Sequence, residues 1–330
     1  MGGILPQLNK SLNVQKIAVL RRNGIGDLLT CVPMLHVCKQ LYPKAKITLI
    51  IEERARDCAE MIELPPWDEL WILSRGNKYL AALKMAYFLR KERFDLIIGA
   101  KPKTMKLQSF LLALSGATFK RAVCHTPKRG LEFFINEPVS ADKIACMEHQ
   151  ALQVMALVED QPQMRAQYWP VFKKKEACSG KNEFFTIYLN ITNNRPSSRL
   201  CPQQMKKVFQ KLGRPFCVVL GGLISDRELA DRWLCVLSQD PQLKLKVCLS
   251  QSFEQTCKLL YQSDLVITGD GGLMHMAAAC QRPLIALFGQ TSIKRWSPLT
   301  STAQLLFHPN RVDAIEPLEI TRVLETFIRT

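Results

Sequence analysis

The 330-residue chain contains no apolar run approaching the ~18 residues that span a bilayer, so a membrane-crossing helix is not expected. Its first sixteen residues, MGGILPQLNKSLNVQK, lack the basic start, apolar centre and small-residue cleavage site of a signal peptide. Pro6 also stands where a myristoylation site carries Ser or Thr. A cytosolic protein is expected. Twelve cysteines are present, yet none forms a C-x-x-C pair and none has His at metal-ligand spacing. They are expected to be small core residues, and no metal site is expected. Acidic residues are also scarce: 29 Asp and Glu face 45 Lys and Arg, a net charge of +16. Such a balance attracts polyanions, whether nucleic acid, an acidic membrane face or a phosphorylated substrate. The basic clusters KPKTMK (101–106), KRAVCHTPKRG (120–130) and KKK (173–175) are not interleaved with stacking aromatics, which argues against single-stranded nucleic acid.

Within these bounds the chain reads as two tandem α/β halves. Near-continuous apolar runs at 16–22, 46–53, 69–74, 95–100 and 120–125 predict buried strands. Helical spacing fills 27–42, 55–63, 79–93 and 104–115. A polar, Gly-containing stretch, KKKEACSGKN (173–182), then reads as a linker. The rhythm restarts with strands at 184–191, 215–222, 245–250, 264–270 and 283–289, with helices at 202–212, 225–238, 252–263 and 272–280. An amphipathic helix at 316–329 closes the chain. Continuous apolar strands separated by helices imply parallel sheets covered on both faces. Such sheets bind ligands beyond the carboxyl ends of their strands, where strand order reverses. With two halves, the cleft between them is the expected site.

Three strand ends carry candidate chemistry. In DLVITGDGGLMHMAAACQRPLIALFGQTS (264–292) a buried strand runs into GDGG and a helix. Gly269, Gly271 and Gly272 are expected to let the backbone approach a ligand, with free helix N–H groups as donors to a diphosphate. His275 follows one turn later. A tight turn with a core histidine is the alternative. In NITNNRPSSRLCP (190–202), Thr192 and Asn193 offer neutral donors, while Arg195 and Arg199 offer charge suited to neutralising a leaving diphosphate without a metal ion; a surface loop with N-cap residues is the alternative. In LGGLISDRE (220–228), a third strand end, Asp226 or Glu228 is a candidate to hold ribose hydroxyls, by itself a weak signal.

The first half carries VLRRNGIGDLL (19–29). A dinucleotide fingerprint would need glycine at position 29, where Leu29 stands, and Asp27 would repel the pyrophosphate. A carboxylate on the Gly24–Gly26 turn suits a general base that deprotonates an attacking hydroxyl. It equally suits a helix N-cap. Lys101, Lys103 and Lys106 follow the fourth strand and are candidates for an anionic acceptor, together with Gly26.

Taken together, VLRRNGIGDLLTCVPMLHVCKQLYPKAKITLIIEE and DLVITGDGGLMHMAAACQRPLIALFGQTS resemble the ADP-heptose:lipopolysaccharide heptosyltransferases of glycosyltransferase family 9 over most of the chain. The resemblance implies a GT-B fold, two Rossmann-like parallel-sheet domains around a central cleft. It divides the chain into an acceptor-binding domain (1–175), a donor domain (183–312) and a C-terminal helix (313–330) packing back toward the first. It implies an inverting transfer without metal or cofactor, ADP-heptose being a substrate and the acceptor an anionic lipopolysaccharide core bearing a Kdo carboxylate or a phosphate. It further implies peripheral contact with the inner face of the cytoplasmic membrane, and no nucleic acid partner. Asp27 matches the family's base. Asp270, Gly271, Gly272 and His275 match the diphosphate loop, Arg199 a phosphate-contacting basic position, and Asp226 or Glu228 the ribose acid. Two positions depart from the pattern: Gly271 where Thr is usual, and Cys201 where Trp is frequent. Both bear on donor identity. A relative using another nucleotide sugar, as transferase or epimerase, and a basic nucleic-acid-binding protein are the alternatives.

Overall fold

The computed structural model describes residues 13–328 apart from 23, 75–77 and 175–183. Residues 1–12, most of the expected linker and the last residue of the expected final helix lie outside the described residues. Contacts divide the chain into two units, Met1–Pro170 and Val171–Thr330.

The first unit is a six-stranded parallel sheet of β1 (Lys16–Leu20), β2 (Lys46–Glu52), β3 (Glu69–Leu73), β4 (Leu96–Gly99), β5 (Phe119–Cys124) and β6 (Glu137–Ser140). Its order is β3-β2-β1-β4-β5-β6. The second repeats the plan with β7 (Thr186–Asn190), β8 (Phe216–Leu223), β9 (Leu243–Ser250), β10 (Leu265–Gly269), β11 (Leu284–Phe288) and β12 (Ala303–Phe307), ordered β12-β11-β10-β7-β8-β9. Both sheets therefore reverse direction between their first and fourth strands, β1 beside β4 and β7 beside β10. The two units have the α/β, doubly wound architecture of a GT-B-like fold.

The central strands form because their apolar runs are buried on both faces: Leu96–Gly99, Leu265–Gly269 and Leu284–Phe288 are buried throughout. Helices pack one stripe inward. In Pro202–Gln210, Pro202 occupies the first turn, where its missing N–H costs nothing. Met205, Val208 and Phe209 then turn toward a core containing Trp233, Phe216 and Leu220. The final helix, Pro317–Ile328, packs on that helix and sends Ile320 and Leu324 into the same core.

Two strands were not expected, and each is an edge strand. β6 reads EPVS, with a proline that cannot donate to a ladder and is tolerated only at an edge. β12 is half exposed, so its apolar pattern is diluted. The helix expected over 27–42 is two helices, Ile25–Leu29 and Val32–Leu41. Pro33 supplies no N–H to the preceding turn, and the chain restarts there. Of the cysteines, Cys31, Cys38, Cys257 and Cys280 are buried, whereas Cys146 and Cys235 are exposed.

One device recurs in both units. An aspartate just ahead of the fourth strand reaches sideways to the start of the first. Asp95 Oδ2 accepts from the backbone N–H of Gln15 at 2.8 Å and Lys16 at 2.9 Å. Asp264 Oδ2 accepts from that of Thr186 at 2.7 Å. These ties set β1 against β4 and β7 against β10, the pairs between which ligand-facing loops emerge. Removing Asp264 leaves the buried Thr186 N–H without its acceptor, a loss of about 1–3 kcal/mol. Asp264→Ala is accordingly expected to lower stability by that amount in denaturant unfolding, and Asp264→Asn, which keeps an acceptor oxygen, by less.

Candidate active site

At the carboxyl end of β1, Arg21 turns inward and is fully buried. Its Nε donates to Asp27 O at 2.7 Å, one terminal nitrogen to Ala100 O at 2.5 Å, and the other to Asp27 Oδ1 at 2.9 Å. One guanidinium thus clamps the loop after β1 to the loop after β4. Asp27 is the third residue of the helix Ile25–Leu29, whose N-cap is Gly24. The carboxylate is therefore not an N-cap; it is an acid held by a buried arginine. Lys101 Nζ approaches the same Oδ1 at 3.4 Å. Burial pushes the Lys101 ammonium below its usual range, against the pull of Asp27 in the other direction. Both cations fall on Oδ1. Among the described residues no hydrogen-bond donor is found on Oδ2, and the Asp27 side chain keeps 19% of its surface exposed. Gly26 lies in the same short helix, its carbonyl accepting from Thr30 N at 3.0 Å and Thr30 Oγ1 at 2.9 Å.

Lys101 is thus drawn to Asp27, while Lys103 and Lys106 are exposed. Lys106 borders a cavity of about 610 Å³ that also involves Thr104, His125, Arg129 and Glu132. Glu132 is buried, accepting from His125 N at 2.9 Å, His125 Nδ1 at 2.6 Å and Arg129 N at 3.2 Å. Burial pushes its carboxyl up, but these donors prevail and hold it below the usual carboxylate range. His125 Nε2 lies 3.4 Å from Thr104 Oγ1.

In the second unit the loop after β7 folds over the end of β10. Asn193 Nδ2 donates to Asp270 O at 2.8 Å, and its Oδ1 accepts from Arg195 N at 2.9 Å. One terminal nitrogen of Arg195 meets the buried Asp270 Oδ2 at 2.5 Å and Thr291 Oγ1 at 3.1 Å. Burial raises the Asp270 carboxyl, opposed by the Thr291 hydroxyl and the Arg195 charge. Arg199 is exposed and donates through Nε to Asn193 O at 2.7 Å. Thr192 is half-buried beside them.

The glycines serve different ends. A Cβ on Gly269 would lie 1.8 Å from Ser198 O, and one on Gly289 2.5 Å from Ser197 O. Gly269 therefore makes room for the chain's own backbone, where the sequence pattern suggested room for a ligand. Gly271 has extended backbone that any residue adopts, but a Cβ there would meet Asn193 Nδ2 at 3.2 Å. A threonine at 271 would press on Asn193. Gly272 is exposed and opens the helix Gly272–Ala279, which carries no side-chain cap. His275 is buried one turn in, its ring edge-to-face with Trp296 at 6.5 Å. Asp226 is occupied locally: its Oδ2 accepts from Leu223 N at 2.7 Å. Glu228 is exposed in the first turn of the helix Arg227–Leu237. Cys201, ahead of Pro202, donates its thiol to Gln203 Oε1 at 3.2 Å.

Sequence reasoning missed Arg21, the His125–Glu132 pair and Thr291. Arg21 had a signal: it directly extends an apolar strand into a glycine turn, where a charged residue is either exposed or paired. Because the folded Glu132 pKa is depressed, its contribution to stability is complete above the unfolded value of about 4.3. It is lost as pH falls through the lower folded value. Glu132→Gln is expected to destabilise the protein near pH 7 and to flatten the acid limb of its stability curve, read from denaturant midpoints across acid pH.

The glycosyltransferase family 9 (heptosyltransferase) model matches residues 83–316. Lipopolysaccharide heptosyltransferase 2 of Salmonella typhimurium is 24% identical over 317 residues, covering 88% of this chain and 87% of that protein. Its Escherichia coli counterpart is 23% identical over 316 residues, with 88% and 87% covered. Among solved structures, the E. coli ADP-heptose lps heptosyltransferase II superposes with a TM-score of 0.75 at 22% identity, covering 96% of this chain and 99% of that one. E. coli heptosyltransferase WaaC with ADP gives 0.73 at 16% identity, with 95% and 100% covered. These structural likenesses bear on the fold. With the family model spanning both units, the chain belongs to glycosyltransferase family 9, the heptosyltransferases.

Proposed function

We propose that this glycosyltransferase moves heptose from ADP-heptose to the lipopolysaccharide inner core, inverting the anomeric centre and needing no metal ion. The observation that carries the reading is Asp27: an acid at the β1/β4 reversal, gripped through Oδ1, with no donor on Oδ2 among the described residues. Oδ2 takes the proton of an acceptor hydroxyl. The hydroxyl oxygen attacks the anomeric carbon as the bond from that carbon to the diphosphate breaks, and ADP departs with the electron pair.

The second unit's reversal supplies what a departing diphosphate needs. The uncapped N–H groups at Gly271 and Gly272 carry the positive end of an eight-residue helix. Arg199 is exposed with one nitrogen engaged, leaving its other donors for phosphate oxygens. Arg195 adds a second guanidinium, steadied by Asp270. His275 lies one turn along the same helix. At the end of β8, the exposed Leu223 and Ile224 offer apolar surface for a base beside Asp226 and Glu228, the candidates for ribose. On the first unit, Lys103 and Lys106 supply positive charge for the acidic groups of the acceptor.

Transfer assays with ADP-heptose and a Kdo-bearing acceptor test this. Asp27→Asn is expected to lower turnover on the order of 10²-fold or more with ADP affinity nearly intact. Wild-type transfer is expected to persist in EDTA. Full activity of the variant would reduce Asp27 to a structural acid, and abolition by EDTA would replace Arg199 and the helix terminus with a metal ion. Consumption of UDP-sugars in place of ADP-heptose would reassign the donor.

A further inference from the structure

The helix Lys78–Glu92 is inverted in size. Its inward face is Ala81, Ala82, Met85, Ala86 and Leu89, packed in the core beneath. Most of its large apolar residues point the other way: Leu83 is 54% exposed, Tyr87 65% and Phe88 50%. Leu80, Leu83 and Tyr87 fall at i, i+3 and i+7, one stripe along the outer surface. A core helix normally does the opposite, because burying the larger side chains yields more free energy.

The stripe is not isolated. The helix packs against Lys106–Leu114, which packs in turn against the short turn Gly130–Phe134. That turn exposes Leu131, Phe133 and Phe134, Phe133 at 71%. Much of the exposed apolar surface of the first unit therefore belongs to three contiguous elements. Exposed patches of this kind mark interaction surfaces.

The charge of the same stretch identifies the partner. Residues 78–134 hold twelve Lys and Arg against three Asp and Glu, a net +9 of the chain's +16 in 57 residues. Of the three acids, Glu132 is buried and Asp95 is taken up by the start of β1. The third, Glu92, is paired with Lys16 at 3.2 Å. Of the cations, Lys101 is paired with Asp27 and the buried Arg121 with Glu137. Apolar side chains standing among the remaining lysines and arginines match the two demands of an anionic lipid surface, where rings and aliphatic chains enter the headgroup boundary and cations meet phosphates. The aliphatic share decides against nucleic acid: Leu80, Leu83 and Leu131 have no face on which a base stacks.

We infer that the outer face of the helix Lys78–Glu92, continued by the Gly130–Phe134 turn, is a membrane-docking surface that seats this unit on an anionic bilayer. It does not depend on the donor or on the role of Asp27. No helix among the described residues is long and apolar enough to cross a membrane.

Co-sedimentation of the full chain with phosphatidylethanolamine–phosphatidylglycerol vesicles tests the inference, with pure phosphatidylcholine vesicles as the neutral control. Wild type is expected to bind the anionic vesicles, and much less the neutral ones. The triple variant Leu83→Ser, Tyr87→Ser, Phe133→Ser is expected to bind at least tenfold more weakly with its melting temperature and its transfer to a soluble acceptor unchanged. Lys84→Gln with Lys91→Gln is expected to weaken binding to anionic vesicles and to leave any residual binding to neutral ones. Equal vesicle binding by the triple variant and wild type overturns the surface, as does absence of binding to anionic vesicles. Tighter binding of wild type to a single-stranded oligonucleotide than to the vesicles, lost in the same triple variant, overturns the choice of a lipid partner. Each of these outcomes leaves the transfer assay untouched.

Discussion

The reversal of strand order between the first and fourth strands governs where this protein can place chemistry. At β1/β4 and β7/β10 the succeeding connections leave in opposite directions, so two loops emerge side by side from the carboxyl ends of those strands. Side chains on the two emerging loops meet across that boundary, as Arg21 meets Ala100 and Arg195 meets Asp270. Each reversal must hold two loops in register without a helix to cover them. An aspartate tie at the far end of each strand pair fixes the strands, and ion pairs at the near end fix the loops.

The two near ends solve the same problem with opposite sign. In the first unit the buried partner is a cation, Arg21, and the partner left accessible is a carboxylate, Asp27. In the second the buried partner is a carboxylate, Asp270, and the partner left accessible is a guanidinium, Arg195. Burying one member of a pair ties it to the other, because breaking such a pair leaves an uncompensated charge at a cost of about 3–5 kcal/mol. The same pairing that stabilises each loop therefore orients the exposed member. One unit presents an acid with one oxygen that meets no donor among the described residues; the other presents positive charge around a helix N-terminus. The proposed transfer, with Asp27 as base and the second unit holding the leaving group, calls for that division.

The repeating architecture was legible because its signals are strong: continuous apolar runs such as Leu96–Gly99 and Leu284–Phe288 cannot be surface strands. The edge strands β6 and β12 were not, since an edge is half solvated and its sequence resembles a loop. Asp27, Asp270 and the 190–202 loop were legible as candidates from their position after strands. Their partners were not, because pairing depends on strand order: Arg21 meets Ala100, and Arg195 meets Asp270, only once β1 lies beside β4 and β7 beside β10. Gly269 was misread for a related reason. A glycine at a strand end signals that something comes close, and sequence alone does not say whether that is a ligand or the carbonyl of Ser198.

Charge was read as a balance of the whole chain with three basic clusters, and its distribution over 78–134, where two of the clusters fall, changes its meaning. Nine of sixteen net positive charges in one stretch, with the remaining 273 residues carrying seven, is a local feature with a local cause. General solubility would spread lysines over both units. An acidic substrate alone would gather them at a strand reversal, and only Lys101 of this stretch pairs with the reversal's acid. The outward lysines and arginines of Lys78–Glu92 stand on a helix whose alanines, Met85 and Leu89 face the core while Leu80, Leu83, Tyr87 and Phe88 face solvent. Neither feature stabilises the folded unit: exposed apolar surface gains nothing from water, and like charges repel. Both become favourable together only against a partner that is at once apolar and anionic. That joint requirement, more than either charge or hydrophobicity alone, singles out a lipid surface.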